Sequence, residues 1–356
     1  MAKTALIISG GAPNATLVAG ALEAFHELGL QFDVISTAGA GALLGLMYLA
    51  PKNGDPVKTL RGLQEMGIAD FLYRAFPVNF KVFNKPGTMA DGYRQMMAPL
   101  QTMLAQWQPQ DPLSQTLKDA TQLGIASACP SDMHSRSLGL CAHAPFVEDV
   151  IDFAQLQQPG TAIWVNAYNL SQHEMANWPR QKIGVQQLQA ALSFPLLYAP
   201  TEIDGDFYME GAAIDCLNFK DLRKNHPELE EIVIFDLLGA EKLLRKPKDL
   251  YDAWVMSIIT PLVEIARDDV KIFEALHGEG ITLHKVPLLE AVPHEALPDV
   301  FDWSRSNLTR LYQLGYHTGK AYAQQHLTHL YVSQQGDQSA GTDCHERQLA
   351  RSTQSS

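Results

Sequence analysis

The apolar pattern of this chain begins with a short run over residues 4–8 that stops at Gly10-Gly11. A run that short, bounded by glycines, predicts a buried strand and then a loop. Over residues 17–28 the period changes. Val18, Ala21, Leu22, Phe25 and Leu28 fall on one helical face, and Gly29 marks the stop. A second strand is predicted over 32–37, and a second helix from about 40 to 49 carries Leu43, Leu44, Leu46, Met47 and Leu49. Strand, helix, strand, helix in this order predicts a parallel sheet covered by helices.

Residues 51–145 are less regular. They hold helical patches at 57–66 and 93–107, with breaks at Pro77, Pro86-Gly87, Pro109 and Pro112, and read as a helical insertion over the mouth of the sheet. Further strands are expected at Ile163–Ala167, Ile232–Phe235 and Ile281–Val286. Further helices are expected over Val185–Leu192, over 248–276 with Pro261 as the position that predicts a kink, and over 304–325. From about 332 the chain is Gln, Ser, Gly and charge, the composition of a disordered tail. The expected architecture is α/β, three layers with a mostly parallel sheet. It forms one domain over about 4–326 with an insertion at about 51–150, followed by a polar tail at 332–356.

Composition narrows the partners. The 356 residues are 46% hydrophobic and 19% charged, enough for a sizeable core. The formal net charge is -12 without a Lys/Arg cluster, so nucleic acid is not expected as a partner. The same charge disfavours electrostatic docking on anionic membranes and leaves a lipid ligand open. Cys129, Cys141, Cys216 and Cys344 lack C-x-x-C spacing and read as reduced thiols of a cytoplasmic protein, with no metal site expected. No stretch reaches the roughly 18 consecutive apolar residues of a membrane span. The N-terminal apolar run breaks at Ser9 and reads as a strand in preference to a signal peptide. No cofactor is expected.

Three stretches carry candidate chemistry. In Val34-Ile35-Ser36-Thr37-Ala38-Gly39-Ala40-Gly41-Ala42, a strand runs through small residues directly into a helix. This is the layout of a nucleophile elbow, G-x-S-x-G, with Gly39 where the serine would stand. Alternatively it is an ordinary Ala/Gly-rich strand-to-helix turn. In Ser9-Gly10-Gly11-Ala12-Pro13-Asn14-Ala15, consecutive glycines before a helix expose backbone N–H groups that can hold an oxyanion, a carboxylate or a phosphate. A degraded dinucleotide loop is an alternative, but Asp33 precedes strand 2, whereas a ribose-binding acid belongs at that strand's far end. The third stretch, Gly205-Asp206-Phe207-Tyr208-Met209-Glu210-Gly211-Ala212-Ala213, is a hairpin with an acid before a glycine.

Together these stretches resemble the patatin-like phospholipases, α/β enzymes with a Ser-Asp dyad and no histidine. The resemblance is ungapped over residues 6–49, including Gly20-Ala21-Leu22-Glu23-Ala24-Phe25. It resumes over 188–218, with Ala190 to Pro195, Pro200 and Tyr208-Met209-Glu210-Gly211-Ala212, and touches Asp302-Trp303-Ser304 and Leu314-Gly315-Tyr316. It implies that the nucleophile position is Gly39, the first elbow glycine Thr37 and the dyad acid Glu210. It further implies an oxyanion or ligand-binding loop of Gly10, Gly11, Ala12 and Asn14. Thr37, Ala38, Ala40, Gly41 and Gly211 would support the turn.

The departures from the family pattern fall in all three catalytic elements. Serine becomes Gly39 and aspartate becomes Glu210. In the loop the third glycine becomes Ala12, while its arginine and last glycine become Asn14 and Ala15. The expected function is therefore a degenerate member that binds a lipid, acyl or other carboxylate-bearing molecule, or a protein partner. The alternative is a working acyl hydrolase in which Glu210 activates water in place of serine. Neither Ser36 nor Thr37 reaches the elbow apex in this register. Cys216, His26 and His143 read as core or surface residues, and Asp91-Gly92 and Asp204-Gly205 as turns.

Overall fold

The computed structural model describes residues 3–331, apart from 12–13, 144–145, 220, 238 and 240, and apart from the side chains of 251 and 298–301. The expected tail at 332–356 lies outside the described residues, as does Ala12.

The chain opens with β1 (Lys3–Ile8), α1 (Ala15–Glu27), β2 (Val34–Thr37) and α2 (Ala40–Leu49). Residues 51–150 add α3 (Pro56–Arg61), α4 (Asp70–Ala75), α5 (Thr88–Gln106), α6 (Pro112–Ala128) and α7 (Val147–Val150), and the described residues of this stretch add no strand to the sheet. Then come β3 (Ala162–Asn169), β4 (Glu174–Pro179), α8 (Val185–Ala191), β5 (Thr201–Ile203) and β6 (Asp206–Glu210). The chain closes with α9 (Leu222–Asn225), β7 (Leu229–Phe235), α10 (Leu250–His277), β8 (Thr282–Lys285) and α11 (Arg305–His326).

The eight strands form one mixed, mostly parallel sheet in the order β5-β6-β3-β2-β1-β7-β8, with β4 paired to β3. Ala5 to Ile8 and Ile232 to Phe235 are fully buried although successive side chains point to opposite faces, so β1 and β7 are covered on both sides. That is the layered α/β architecture expected from the apolar runs. It also settles the N-terminal run as a central strand. On one side α1 and α11 cross so closely that a Cβ on Gly20 would overlap the Tyr312 carbonyl and lie 2.7 Å from Tyr316 N.

The register of β3 positions the site. Along one edge β3 pairs with β4 throughout Trp164–Asn169. Along the other it pairs first with β2, up to Val165 opposite Thr37, and then with β6, from Ala167 opposite Glu210. Strand β6 thus takes over where β2 stops, and its last residue arrives at the turn between β2 and α2.

Three sequence expectations need correction. Pro112 does not break a helix; it opens α6, because Asp111 caps the end by accepting from Leu113 N at 2.9 Å and Ser114 N at 3.0 Å. Asp91-Gly92 is not a turn but lies inside α5. Strand β4 was not anticipated: Glu-Met-Ala-Asn-Trp-Pro has little strand propensity and is held by pairing with β3. Helix α10 runs through Pro261 as one element. Asp204-Gly205 is the β5–β6 turn, with φ of 53° and 89°.

The helices between 51 and 150 are tied by one buried charge. Asp119 is fully buried in α6 and accepts from Ala69 N at 2.7 Å, from Gln115 Nε2 at 3.0 Å and from Lys81 Nζ at 2.9 Å. Burial holds the Lys81 ammonium below its usual pKa range, opposed by the attraction of Asp119. Removing one partner of a buried pair strands the other. Asp119→Ala is expected to lower unfolding free energy by about 3 kcal/mol in chemical denaturation, whereas substitution of exposed Asp91 is expected to change it by less than about 0.5 kcal/mol.

Candidate functional site

The turn after β2 has the backbone of an elbow. Gly39 precedes α2 with φ 53° and ψ -131°, a region that residues with a Cβ rarely adopt. Ala40 begins α2, and Ala38 and Ala42 are fully buried. A Cβ on Gly41 would overlap the Ile8 carbonyl and lie 2.6 Å from that of Ser9, so only glycine fits where α2 meets the end of β1. The flanking hydroxyls are engaged elsewhere: Ser36 donates to the Asn218 carbonyl at 2.9 Å and Thr37 to that of Trp164 at 2.8 Å. Both side chains are buried in structural bonds away from the apex.

The loop after β1 lies beside this turn. Ser9 Oγ donates to the Phe235 carbonyl at 2.9 Å and accepts from Leu237 N at 3.0 Å, which ties the loop to the end of β7. A Cβ on Gly10 would stand 3.1 Å from Ala212 Cβ and 3.5 Å from Glu210 Oε1. Gly11 has φ +126°, and its carbonyl accepts from Ala15 N at 2.7 Å at the start of α1. Asn14 is fully buried, yet its Oδ1 and Nδ2 have no hydrogen-bond partner among the described residues. Leaving buried polar atoms unpaired costs about 1–3 kcal/mol, so this amide is an unexplained expense for folding alone.

Glu210 completes the group. Its backbone N–H donates to the Ser193 carbonyl at 3.0 Å, and its side chain enters the space above Gly39. A Cβ on Gly39 would overlap Glu210 Oε1 and would lie 3.1 Å from Glu210 Cδ and 3.0 Å from Ala212 Cβ. The carboxyl therefore occupies the volume of the missing side chain. Burial pushes its pKa up to about 8, so it is largely protonated at neutral pH. Gly211 is confined in turn: a Cβ there would meet Asn166 Oδ1 at 2.5 Å, and Asn166 Nδ2 donates to the Asp215 carbonyl at 2.9 Å.

A second polar cluster adjoins the group. Tyr198 is close enough to Glu210 and Cys141 for their charges to raise its pKa further, beyond the effect of burial. The His143 ring stacks on Tyr198 at 5.1 Å, and its Nε2 lies 3.3 Å from both Ser193 Oγ and Thr201 Oγ1. Ser193 is buried and donates to the Gln189 carbonyl at 2.8 Å, and burial keeps His143 below its usual pKa. This Ser–His contact is therefore a satisfied core arrangement, in line with the sequence reading of His143. The position of Tyr198 was not foreseen; the only signal was the short Tyr198-Ala199-Pro200 run ahead of β5. Cys216 is a buried thiol, 3.8 Å from Asp269 Oδ2 and 4.0 Å from the Leu262 carbonyl.

Two cavities lie elsewhere. One of about 300 Å³ sits at the ends of β7 and β8 and is lined by Asp236, Arg267, Lys271 and Lys285 among others. The other, of about 230 Å³, lies between α4 and the start of α11. Among the described residues no group of three or more His, Cys, Asp or Glu is arranged to hold a metal ion, and no helix is long and apolar enough to cross a membrane.

Raised above its unfolded value of 4.5, the Glu210 pKa makes ionisation costly only in the native state. Below about pH 4.5 both states are protonated and there is no penalty. Between 4.5 and about 8 the unfolded chain ionises alone, and native stability falls by up to about 1.4 kcal/mol per pH unit. Denaturant titrations from pH 5 to 8 are expected to show this loss in the wild type, and Glu210→Gln is expected to flatten it.

Comparisons with known proteins place the chain in a family. The family model described as patatin-like phospholipase matches residues 6–223. Among solved structures, the crystal structure of VipD from Legionella pneumophila is similar at 12% identity and a TM-score of 0.37, covering 91% of this chain and 67% of that one. Among curated proteins none matches.

Proposed function

The chain belongs to the patatin-like phospholipase family, and from that premise we propose that it is a catalytically degenerate member that binds its ligand without cleaving it. The observation that carries this reading is the Glu210 carboxyl lying where a side chain on residue 39 would begin. Loss of a nucleophile alone lowers a serine hydrolase rate by about 10⁶. Here the space for a replacement is filled as well, by an acid one methylene longer than the family's aspartate.

The family's substrates are lipids in general, and the ligand class proposed is a lipid, acyl or other carboxylate-bearing molecule. Backbone N–H groups at Gly10 and Gly11 and the unpaired Asn14 amide would receive its oxygen. Glu210, protonated at neutral pH, would act as a donor beside them. In this reading residues from about 51 to 150 cap the former active site of a domain spanning about 4–326. Reduced thiols fit a cytoplasmic binding or regulatory protein.

A second reading rests on the same carboxyl. A pKa near 8 suits a general base at mildly alkaline pH, so Glu210 could activate a water for acyl hydrolysis. Turnover of p-nitrophenyl esters and phospholipids separates the two. The binding reading predicts wild-type rates no higher than those of a Gly10→Val loop variant. Rates well above that variant, lost in Glu210→Gln, would establish the hydrolase instead. A fluorophosphonate probe is expected to leave wild type and Gly39→Ser unlabelled. Labelling of Gly39→Ser with Glu210→Asp would show that the loop remains competent once the space is cleared.

A further inference from the structure

The cavity of about 300 Å³ at the ends of β7 and β8 has the size of a small-molecule site, at the lower end of the usual range of about 300–1,000 Å³. It lies where the two strands run out in parallel, with Ile234 opposite Lys285 and Val286 N donating to the Ile234 carbonyl at 3.0 Å. In an open α/β sheet, ligands gather outside the carboxyl ends of the strands. The facing wall is one side of α10, on which Arg267, Val270, Lys271 and Glu274 recur at helical spacing.

The floor is apolar and the rim is charged. Val270 and Val286 are exposed by only 3% and 2%, and Pro287 lines the cavity beside them. Three of the charged groups on the rim already have partners. Arg267 pairs with Glu241 at 2.7 Å and with Glu264 at 3.1 Å, and Lys271 pairs with Asp268 at 2.9 Å. Asp236 Oδ1 accepts from Gly239 N at 2.7 Å. The other three differ. Among the described residues, the side chains of Lys285, Glu274 and Glu290 make no hydrogen bond and no ion pair. They come from separate elements, since Lys285 ends β8, Glu290 follows it and Glu274 stands on α10. An exposed ion pair is worth up to about 1 kcal/mol. One cation and two anions therefore share a cavity without gaining that stabilisation from one another.

The complement of this set is a small molecule with one anionic and two cationic groups on an aliphatic stem. We propose that the cavity binds a basic amino acid, with its α-carboxylate at Lys285, its two cationic groups at Glu274 and Glu290, and its methylenes over Val270 and Val286. A diamine is the poorer occupant, because it brings a cation and no anion toward Lys285. A polyanion such as a nucleotide is opposed by the two acids and by a chain of net charge -12. Charges placed in this way orient the ligand and reject analogues that lack one of the three groups.

Calorimetric titration of the full chain with L-lysine, L-ornithine and L-arginine tests this, with the folding of every variant verified by circular dichroism. Saturable one-site binding by at least one of them is expected. The matching diamine, which lacks the carboxylate, and the matching neutral amino acid, which lacks the side-chain cation, are each expected to bind at least tenfold more weakly. Lys285→Met is expected to weaken the amino acid at least tenfold and to leave the diamine unchanged, whereas Glu274→Gln and Glu290→Gln are expected to weaken both. Absence of saturable binding by all three amino acids would overturn the proposal. So would a diamine that binds as tightly as its amino acid, or wild-type binding in Lys285→Met and Glu274→Gln.

Discussion

Two groups cannot occupy one volume, and the candidate site is organised around that exclusion. The Glu210 carboxyl lies where a side chain on residue 39 would start. The backbone there, with φ 53° and ψ -131°, is one that glycine adopts freely and other residues only under strain. Either fact alone would favour glycine at this turn. Together they make the glycine at 39 and the long acid at 210 parts of one arrangement.

The arrangement depends on strand register. Because β6 continues the edge of β3 that β2 leaves, Glu210 is delivered to the turn by backbone pairing, and its neighbours Ala212 and Gly10 close around it. Among the described residues no cation is recorded as a partner of this carboxyl, and burial pushes its pKa up to about 8. A neutral acid can donate a hydrogen bond, whereas the dyad of the family requires a base. In the proposed binding role, that donor would face an oxygen of the ligand next to the glycine loop.

Much of the fold was legible in the sequence because β1, β2 and β7 are short apolar runs and α1 and α10 have a clear helical period. The misreadings have local causes. In the sequence Pro112 reads as a break because its helix-opening role depends on the Asp111 side chain, and β4 carries no strand signal because pairing with β3 outweighs its weak propensity. At the site, Gly39 is identifiable from the strand-to-helix layout of an elbow, and Glu210 only through the family resemblance. Nothing in the spacing says that their side-chain volumes overlap, since that follows from a register set by β3. The buried, unpaired amide of Asn14 was likewise invisible, because burial and partners belong to the packed structure.

The most direct test of the account is a double-mutant cycle on unfolding free energy between Gly39→Ser and Glu210→Asp, measured at pH 6. The account predicts that Gly39→Ser alone is destabilising and that shortening Glu210 returns part of the loss, with a favourable coupling of about 1–3 kcal/mol. Additive effects within about 0.5 kcal/mol would mean that the two residues do not share the space, and would contradict it.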